Sequence, residues 1–364
     1  MPTDLRKEKT LDNRPRLKAT CIKLHEMALD LGAEARLPTM AELREEFAVS
    51  TYTLNDAIRE LERRQVLRSV NGVGIFVTAR QRPLTGNIGI IGGEGFHRPQ
   101  MAFHHRLMHG LEKVVIRNKQ HLMFLGDEKN WDVRACEKVD GILVVGVDNA
   151  EQMVHHIPSG TPTVTIFTGT ENTSSVTVDD YQGGKLAVEY LLQNNHQRIA
   201  CLMEKLPALS KLRLAGYKSA LIENGIKLKS EWVRLTSSVD ITKSDQPYIT
   251  WGRQQMQKWL RGGWQKTGCT AIFVQNEMAA IGVIQLLQEE GINVPQQVSV
   301  IGFDGTELCN VVSPSLCAVQ VPLTEIGAKA VEILNQQIND ASSEIQSIVL
   351  PLDMRKGGSV ATAP

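Results

Sequence analysis

AIFVQNEMAAIGVIQLLQEEGINVPQQVSVIGFDG, residues 271–305, is the stretch that decides the fold. It opens on an apolar run, Ala271–Val274, and closes on a second, Val298–Phe303, with an apolar-faced helix over 277–290 between them. Two nearly continuous apolar strands flanking a helix form a strand–helix–strand unit of a parallel sheet buried on both faces. Each strand ends on a polar residue, Asn276 shortly after the first and Asp304 after the second. In wound α/β sheets the carboxyl ends of strands are where ligands are held.

The same texture extends outward in both directions. Strands are expected at Ile88–Ile91, Leu122–Leu125, Gly141–Val145, Thr163–Phe167, Ile199–Met203 and Val233–Leu235. Helices are expected near 101–118 and over 181–193, 213–224 and 251–261. That is too many units for one compact sheet, so the expectation is α/β with two doubly wound lobes, of the periplasmic-binding-protein-like type. Lobe 1 is expected at about 88–175 and 322–342, and lobe 2 at about 178–320 and 345–364. Ligand would sit between them.

The first 79 residues read differently. Leu17, Cys21, Leu24, Ala28 and Leu31 repeat at three- and four-residue spacing, one apolar helix face. Thr39 and Glu42 form a capping-box pair ahead of Leu43 and Phe47. Ser50 caps a third helix with Leu54, Ile58 and Leu61 inward, and two β-branched runs flank Asn71-Gly72 as a hairpin. Two short helices joined by a tight turn, then a hairpin, predict a winged helix-turn-helix over 1–79. Residues 80–87 are polar with Pro83 and Gly86 and are read as a linker to the two-lobed unit, 88–364.

Bulk properties narrow the function. The 364 residues carry 40 Lys+Arg and 40 Asp+Glu, so no global basic field marks a nucleic-acid binder. Residues 1–82 hold 15 basic and 12 acidic residues, a mild local surplus. No apolar run approaches the roughly 18–20 residues a membrane span needs, and MPTDLRKEKT has no signal-type apolar core. The six cysteines show no CxxC spacing and read as free thiols of a reducing cytoplasm. His105 and His109 have metal-ligand spacing, yet no carboxylate or thiol accompanies them, and a solvated helix face is the better reading. The chain shows neither GxSxG nor a paired-carboxylate motif, so no catalytic residue, metal or cofactor is expected.

Several segments resemble the effector domain of the LacI/GalR family. They are Asp179-Asp180-Tyr181-Gln182-Gly183-Gly184 with the helix after it, Arg213-Leu214-Ala215-Gly216-Tyr217, and the 271–305 stretch. LPTMAELREEFAVSTYTLNDAIRELERRQVLRSVNGVGIFV, residues 37–77, resembles the GntR-type winged helix instead. The combination is similar to arabinose-responsive repressor hybrids. It implies a cytoplasmic, homodimeric regulator of transcription, most simply a repressor, that binds a double-stranded DNA operator and responds to a sugar or sugar derivative. The alternative is a cytoplasmic sugar-binding module without DNA activity.

The resemblance places Arg213, Asn276 and Asp304 at the effector. A guanidinium, an amide and a carboxylate suit a hydroxyl-rich ligand. Each has a competing structural reading: an ion pair for Arg213, a helix cap for Asn276 and a loop cap for Asp304. Glu277 stands where the family commonly has Asp and is expected to reshape the pocket. Val321-Pro322 replaces a common Gln-Pro and removes a polar contact. Glu94, Phe96 and Phe103 from the first lobe, and Tyr248 in a loop of the second, are further candidates, with core packing the stronger reading for each aromatic.

In the reader, Thr51, Tyr52, Thr53 and Asn55 begin the recognition helix, with Arg59 one turn on. Thr39, Arg44, Ser50 and the wing glycines Gly72 and Gly74 complete the expected DNA surface, with Arg63, Arg64 and Arg68 as possible phosphate contacts. GntR-type readers usually carry arginines where this chain has Ala41, Thr51 and Asn55. That departure implies a different operator and a shallower salt dependence.

Overall fold

The computed structural model describes residues 15–32, 34–63, 66–70, 72–78, 84–93, 96, 102–158, 160–205, 208–237, 239, 245–340 and 343–363. The amino-terminal unit contains α1 (Pro15–Leu31), α2 (Met40–Phe47), α3 (Thr51–Arg63), β1 (Leu67–Val70) and β2 (Gly74–Val77). Leu24, Leu43, Leu54, Leu61, Leu67 and Val77 are all buried in one small core, so the apolar stripes of the sequence meet as their spacing requires. Thr39 and Glu42 cap α2 reciprocally: the Thr39 N–H donates to Glu42 Oε2 at 2.7 Å and the Glu42 N–H to Thr39 Oγ1 at 3.4 Å. Ser50 Oγ accepts from the Thr53 N–H at 3.1 Å at the start of α3. β1 and β2 pair antiparallel around the Val70–Gly74 turn.

The rest of the chain forms two sheets. In chain order the elements are β3 (Asn87–Gly92), α4 (Ala102–Arg117), β4 (His121–Asp127), β5 (Asn130–Trp131), β6 (Gly141–Val145), α5 (Ala150–His156), β7 (Thr163–Ile166) and β8 (Ser174–Val178). Then follow α6 (Asp180–Gln193), β9 (Ile199–Glu204), α7 (Ala208–Glu223), β10 (Val233–Thr236), α8 (Pro247–Arg261), α9 (Trp264–Thr267), β11 (Ala271–Val274) and α10 (Glu277–Glu289). Last come β12 (Ser299–Asp304), β13 (Cys317–Gln320), α11 (Leu323–Asn339), β14 (Ser347–Leu350) and β15 (Asp353–Arg355).

The first sheet runs β14-β8-β7-β6-β3-β4-β5 and the second β10-β9-β11-β12-β13-β15. All pairings are parallel except β4–β5 and β13–β15. Helices α4 and α11 pack together against the first sheet, and the pairs α6–α7 and α8–α10 against the second. The strands β6, β7, β9 and β11 are buried at every position, as their apolar runs require.

The chain passes between the two sheets at three places: from β8 to α6, from β13 to α11, and from β14 to β15. The last passage corrects an expectation. The sequence places residues from 345 onward in the second lobe, but Ser347–Leu350 pair with Ser175–Val178 at the edge of the first sheet. β14 is a four-residue strand at the end of the sheet order, its positions alternately exposed and half-buried, and nothing in so short a run names the strand it pairs with.

Candidate effector site and DNA reader

Adjacent parallel strands β9, β11 and β12 end together at Glu204, Val274 and Asp304, and the polar residues of the site gather at these ends. Asp304 has φ +83 and is followed by Gly305 at φ +67, so the chain turns sharply as it leaves the sheet. A left-handed aspartate is strained backbone of the kind that accumulates at functional sites.

Arg213 reaches this place from within α7, which starts five residues earlier than the expected 213. Its Nε donates to Asp180 Oδ1 at 2.7 Å and its Nη1 to the Gln275 carbonyl at 2.5 Å. The guanidinium lies 3.5 Å from the centre of the Phe303 ring. One side chain therefore joins the start of α6, the end of β11 and the end of β12. The pair is largely out of solvent, with side chains 12% and 3% exposed. The ion-pair reading of Arg213 is thus realised in this structure, while its position at the strand ends is retained.

Burial raises the Asp304 carboxyl to about 7; Arg213 opposes the shift, and Glu277 and Asp180 add to it. Burial likewise raises the Tyr248 hydroxyl above its usual range, with the charges of Glu204, Asp304 and Asp148 acting in the same sense. Tyr248 is the second residue of α8, a correction to its expected loop position: Pro247 starts the helix one residue earlier. Asp148 follows β6 of the first lobe, so groups from both sheets lie within electrostatic reach of one another.

Asn276 caps α10, its Oδ1 accepting from the Ala279 N–H at 2.8 Å, which leaves the amide nitrogen as its remaining donor. Glu277 does not reshape the cleft as expected. Its buried carboxylate accepts from the Thr306 N–H at 2.7 Å and from Thr306 Oγ1 at 2.5 Å, with Cys309 Sγ at 3.5 Å. The extra methylene relative to Asp lets it anchor the turn after Asp304. Val321 is buried, and with Asp304, Gln320, Pro322, Arg106 and Arg355 it lines a cavity of about 280 Å3 at the second passage between lobes.

From the first lobe, Glu94 lies outside the described residues. Phe96 is buried over Gly92 and packs on His104 at 5.0 Å and Phe124 at 6.4 Å, while Phe103 packs on Phe167 at 5.1 Å. The core reading holds for Phe96, and burial lowers the adjacent His104 to about 4, so the ring is neutral. His105 and His109 are exposed, and no metal-type cluster of three ligands occurs among the described residues.

Sequence reasoning missed Asp180, Glu204, Gln275 and Asp148. Glu204 is buried and accepts from Gln275 Nε2 at 2.5 Å and from the Val239 N–H at 2.6 Å. Its signal was available: Glu204 ends an otherwise apolar strand, as Asp304 does. Asp180 stood in the quoted Asp-Asp pair but carried no assigned role.

In the reader, Thr51, Tyr52, Asn55 and Arg59 are exposed on α3, with Tyr52 at 73% exposure, and Arg44 is exposed on α2. Thr53 is half-buried and its hydroxyl shares a 2.9 Å hydrogen bond with Ser50 Oγ. Gly72 and Gly74 take φ +75 and +148 in the wing, conformations that favour glycine. Arg68 is paired with Glu34 at 2.5 Å and lies over the Phe76 ring, so it serves the hairpin itself. Arg64 and the side chain of Arg63 lie outside the described residues.

Comparison with known proteins finds two matching families. Residues 25–77 match the gntR family of bacterial regulatory proteins, and residues 188–360 match the periplasmic binding protein-like domain. Catabolite control protein A of Priestia megaterium is 27% identical over 337 residues, covering 86% of this chain and 96% of that protein. The ribose operon repressor of Haemophilus influenzae is 27% identical, covering 85% and 87%. A LacI family transcriptional regulator from Enterococcus faecium with bound ribose shares the fold at a TM-score of 0.65 and 24% identity, over 76% of this chain and all of that one. The chain is a transcription regulator of hybrid build, a domain of the gntR type joined to a periplasmic binding protein-like domain, and over most of its length it is similar to a catabolite control protein and a ribose operon repressor.

Proposed function

We propose that this regulator is a cytoplasmic homodimeric repressor whose hold on its operator is switched by a small polyhydroxylated effector between the two lobes, at Arg213, Asn276, Asp304 and Tyr248. The observation that carries this reading is the position of Arg213. Its side chain is bonded at once to the lobe passage at Asp180 and to the strand end at Gln275. An effector that draws on its guanidinium or on Asp304 changes the forces at that passage, and so the angle between lobes. In a dimer, that angle sets the spacing of the two readers against half-sites one helical turn apart.

Charge supports an uncharged effector. Asp180 already answers Arg213, while Asp148, Glu204 and Asp304 gather carboxyl groups on the Tyr248 side, with Arg106 and Arg355 beside Asp304 on the other. A phosphorylated or carboxylated ligand would meet like charge in a poorly solvated place. The ribose operon repressor and the ribose-bound regulator among its relatives favour a sugar of modest size.

The test is a gel shift with DNA from upstream of the protein's own gene and its neighbours, with and without a panel of pentoses, hexoses and disaccharides, alongside sedimentation of the free protein. Operator binding relieved by one neutral sugar is the expected result. A monomer that binds sugar but no duplex at low ionic strength overturns the regulator in favour of a binding module.

A further inference from the structure

The reader is poor in cations where such domains usually hold DNA. Between Leu37 and Ile58 the sole Lys or Arg is Arg44, Arg59 follows one turn into the recognition helix, and the wing sequence Val70-Asn71-Gly72-Val73-Gly74 has none. Non-specific DNA affinity comes almost entirely from neutralised phosphates. A further cation between the wing and α2 would add to what Arg44 and Arg59 supply.

Arg36 stands at the right place. Its backbone bridges Phe76 on the free side of β2, opposite the side where Arg68 pairs with that same residue. Directly opposed residues share a face, as do residues two apart along a strand. Arg36, Gly74, Phe76 and Arg68 therefore occupy the outer face of this small sheet, while Leu37, Leu67 and Val77 are buried on the other. Arg68 is drawn to Glu34. The guanidinium of Arg36 extends the opposite way, over Gly74 and toward the wing tip. A Cβ at Gly74 would lie 2.7 Å from Arg36 Nε. The φ of +148 is what requires glycine at 74, and the bare backbone lets the arginine lie directly on it.

At the other end, Arg36 precedes Thr39, the cap of α2, by three residues. The Glu42 carboxylate is held low first by the Thr39 N–H and hydroxyl that engage it, and in smaller part by the charge of Arg36. Arg36 therefore spans the gap between the wing and the start of α2, the helix that crosses the DNA backbone in helix-turn-helix domains.

We propose that Arg36, seated on Gly74, is a DNA phosphate-binding residue that couples the wing to α2 and takes over part of the charge absent at Ala41, Thr51 and Asn55. The inference rests on the operator-binding reading. As a phosphate contact it contributes to every sequence alike and selects none.

The full-length protein is titrated onto a fluorescent mixed-sequence DNA duplex across a salt series. Arg36→Gln is expected to reduce the log–log salt slope by about 0.9 per reader, so that the affinity ratio between a low and a fourfold higher salt shrinks about 3.5-fold for each reader engaged, or about twelvefold for a dimer. Arg36→Lys is expected to restore the slope, and thermal melting of both variants to match the parent. An unchanged slope for Arg36→Gln overturns the proposal while leaving the regulator intact. A loss of binding that tracks a lowered melting temperature, and that Arg36→Lys does not rescue in slope, also overturns it, because the residue would then only be holding the hairpin. Failure of the parent protein to bind any duplex is a different result, and removes the operator reading itself.

Discussion

Arg213 Nε and Asp180 Oδ1 stand 2.7 Å apart, and through that pair α7 grips the point where the chain first enters the second lobe. Arg213→Ala is expected to abolish the effector response while operator binding persists. It also strands a buried carboxylate, a loss of about 3–5 kcal/mol in urea unfolding. Asp180→Asn should cost less, because the amide can still accept from Nε. The double variant should cost less than the two single losses added together, since both remove one interaction. Additive losses would show that the pair is not a unit.

Asp304 makes stability and binding depend on pH in opposite senses. Its folded pKa of about 7 lies above the ordinary aspartate value, so between about pH 4 and 7 the folded state holds a proton that the unfolded state has released. The contribution of this group to stability is complete at low pH, falls as pH rises through that window and is flat above it. Asp304→Asn should therefore be more stable than the parent at pH 8, on the order of a few kcal/mol, with the difference vanishing near pH 4. Sugar affinity of the parent should rise over the same window, as the carboxylate becomes able to accept hydroxyl protons. Melting scans and titration calorimetry at several pH values measure both.

Ligand charge gives a third expectation. For whichever neutral sugar releases the operator, the corresponding sugar phosphate should bind at least tenfold more weakly, a difference of about 1.4 kcal/mol. Glu204→Gln should narrow that gap by removing a buried acid whose carboxyl burial already raises. Equal affinity for the two forms would contradict the electrostatic reading of the cleft.

Glycine packing positions the arginine. Gly184 of α6 sits against the Arg213 carbonyl, and Gly216 of α7 sits against the Tyr181 carbonyl, so the two helices touch backbone to backbone. Gly216→Ala is expected to push them apart, costing about 1–3 kcal/mol. It should also weaken effector binding, because Arg213 lies one turn away on the same helix. Retained stability and retained affinity together would show that the helix spacing is slack.

How far the sequence carried depended on how local each signal was. The apolar strands β6, β7, β9 and β11, the Thr39–Glu42 cap and the Ser50 cap are written in a few adjacent residues, and the structure shows them there. Asp304 and Asn276 were legible because each ends a strand in a recognisable unit. Arg213's partners were not: Asp180 and Gln275 are 33 and 62 residues away, and only the tertiary arrangement brings them to it. Glu277 was misjudged for the same reason, since Thr306, 29 residues on, decides where its carboxylate points. Phe96 and Phe103 carry chemistry that suits either a core or a sugar face, and neighbours such as His104 and Phe167 settle what they touch here.

The interleaving of the lobes has a consequence for how the protein is made. The first sheet is not finished by the residues that begin it: its outer strand β14 and its covering helix α11 come from beyond residue 322, after nearly all of the second lobe. A ribosome emitting this chain therefore releases a half-clad sheet that waits for its tail, with the edge at Ser174–Val178 unpaired on that side. Pairings so distant along the chain are slow to form. Cells that overproduce this regulator should thus rely on chaperones during translation more than the modest size of either lobe would suggest.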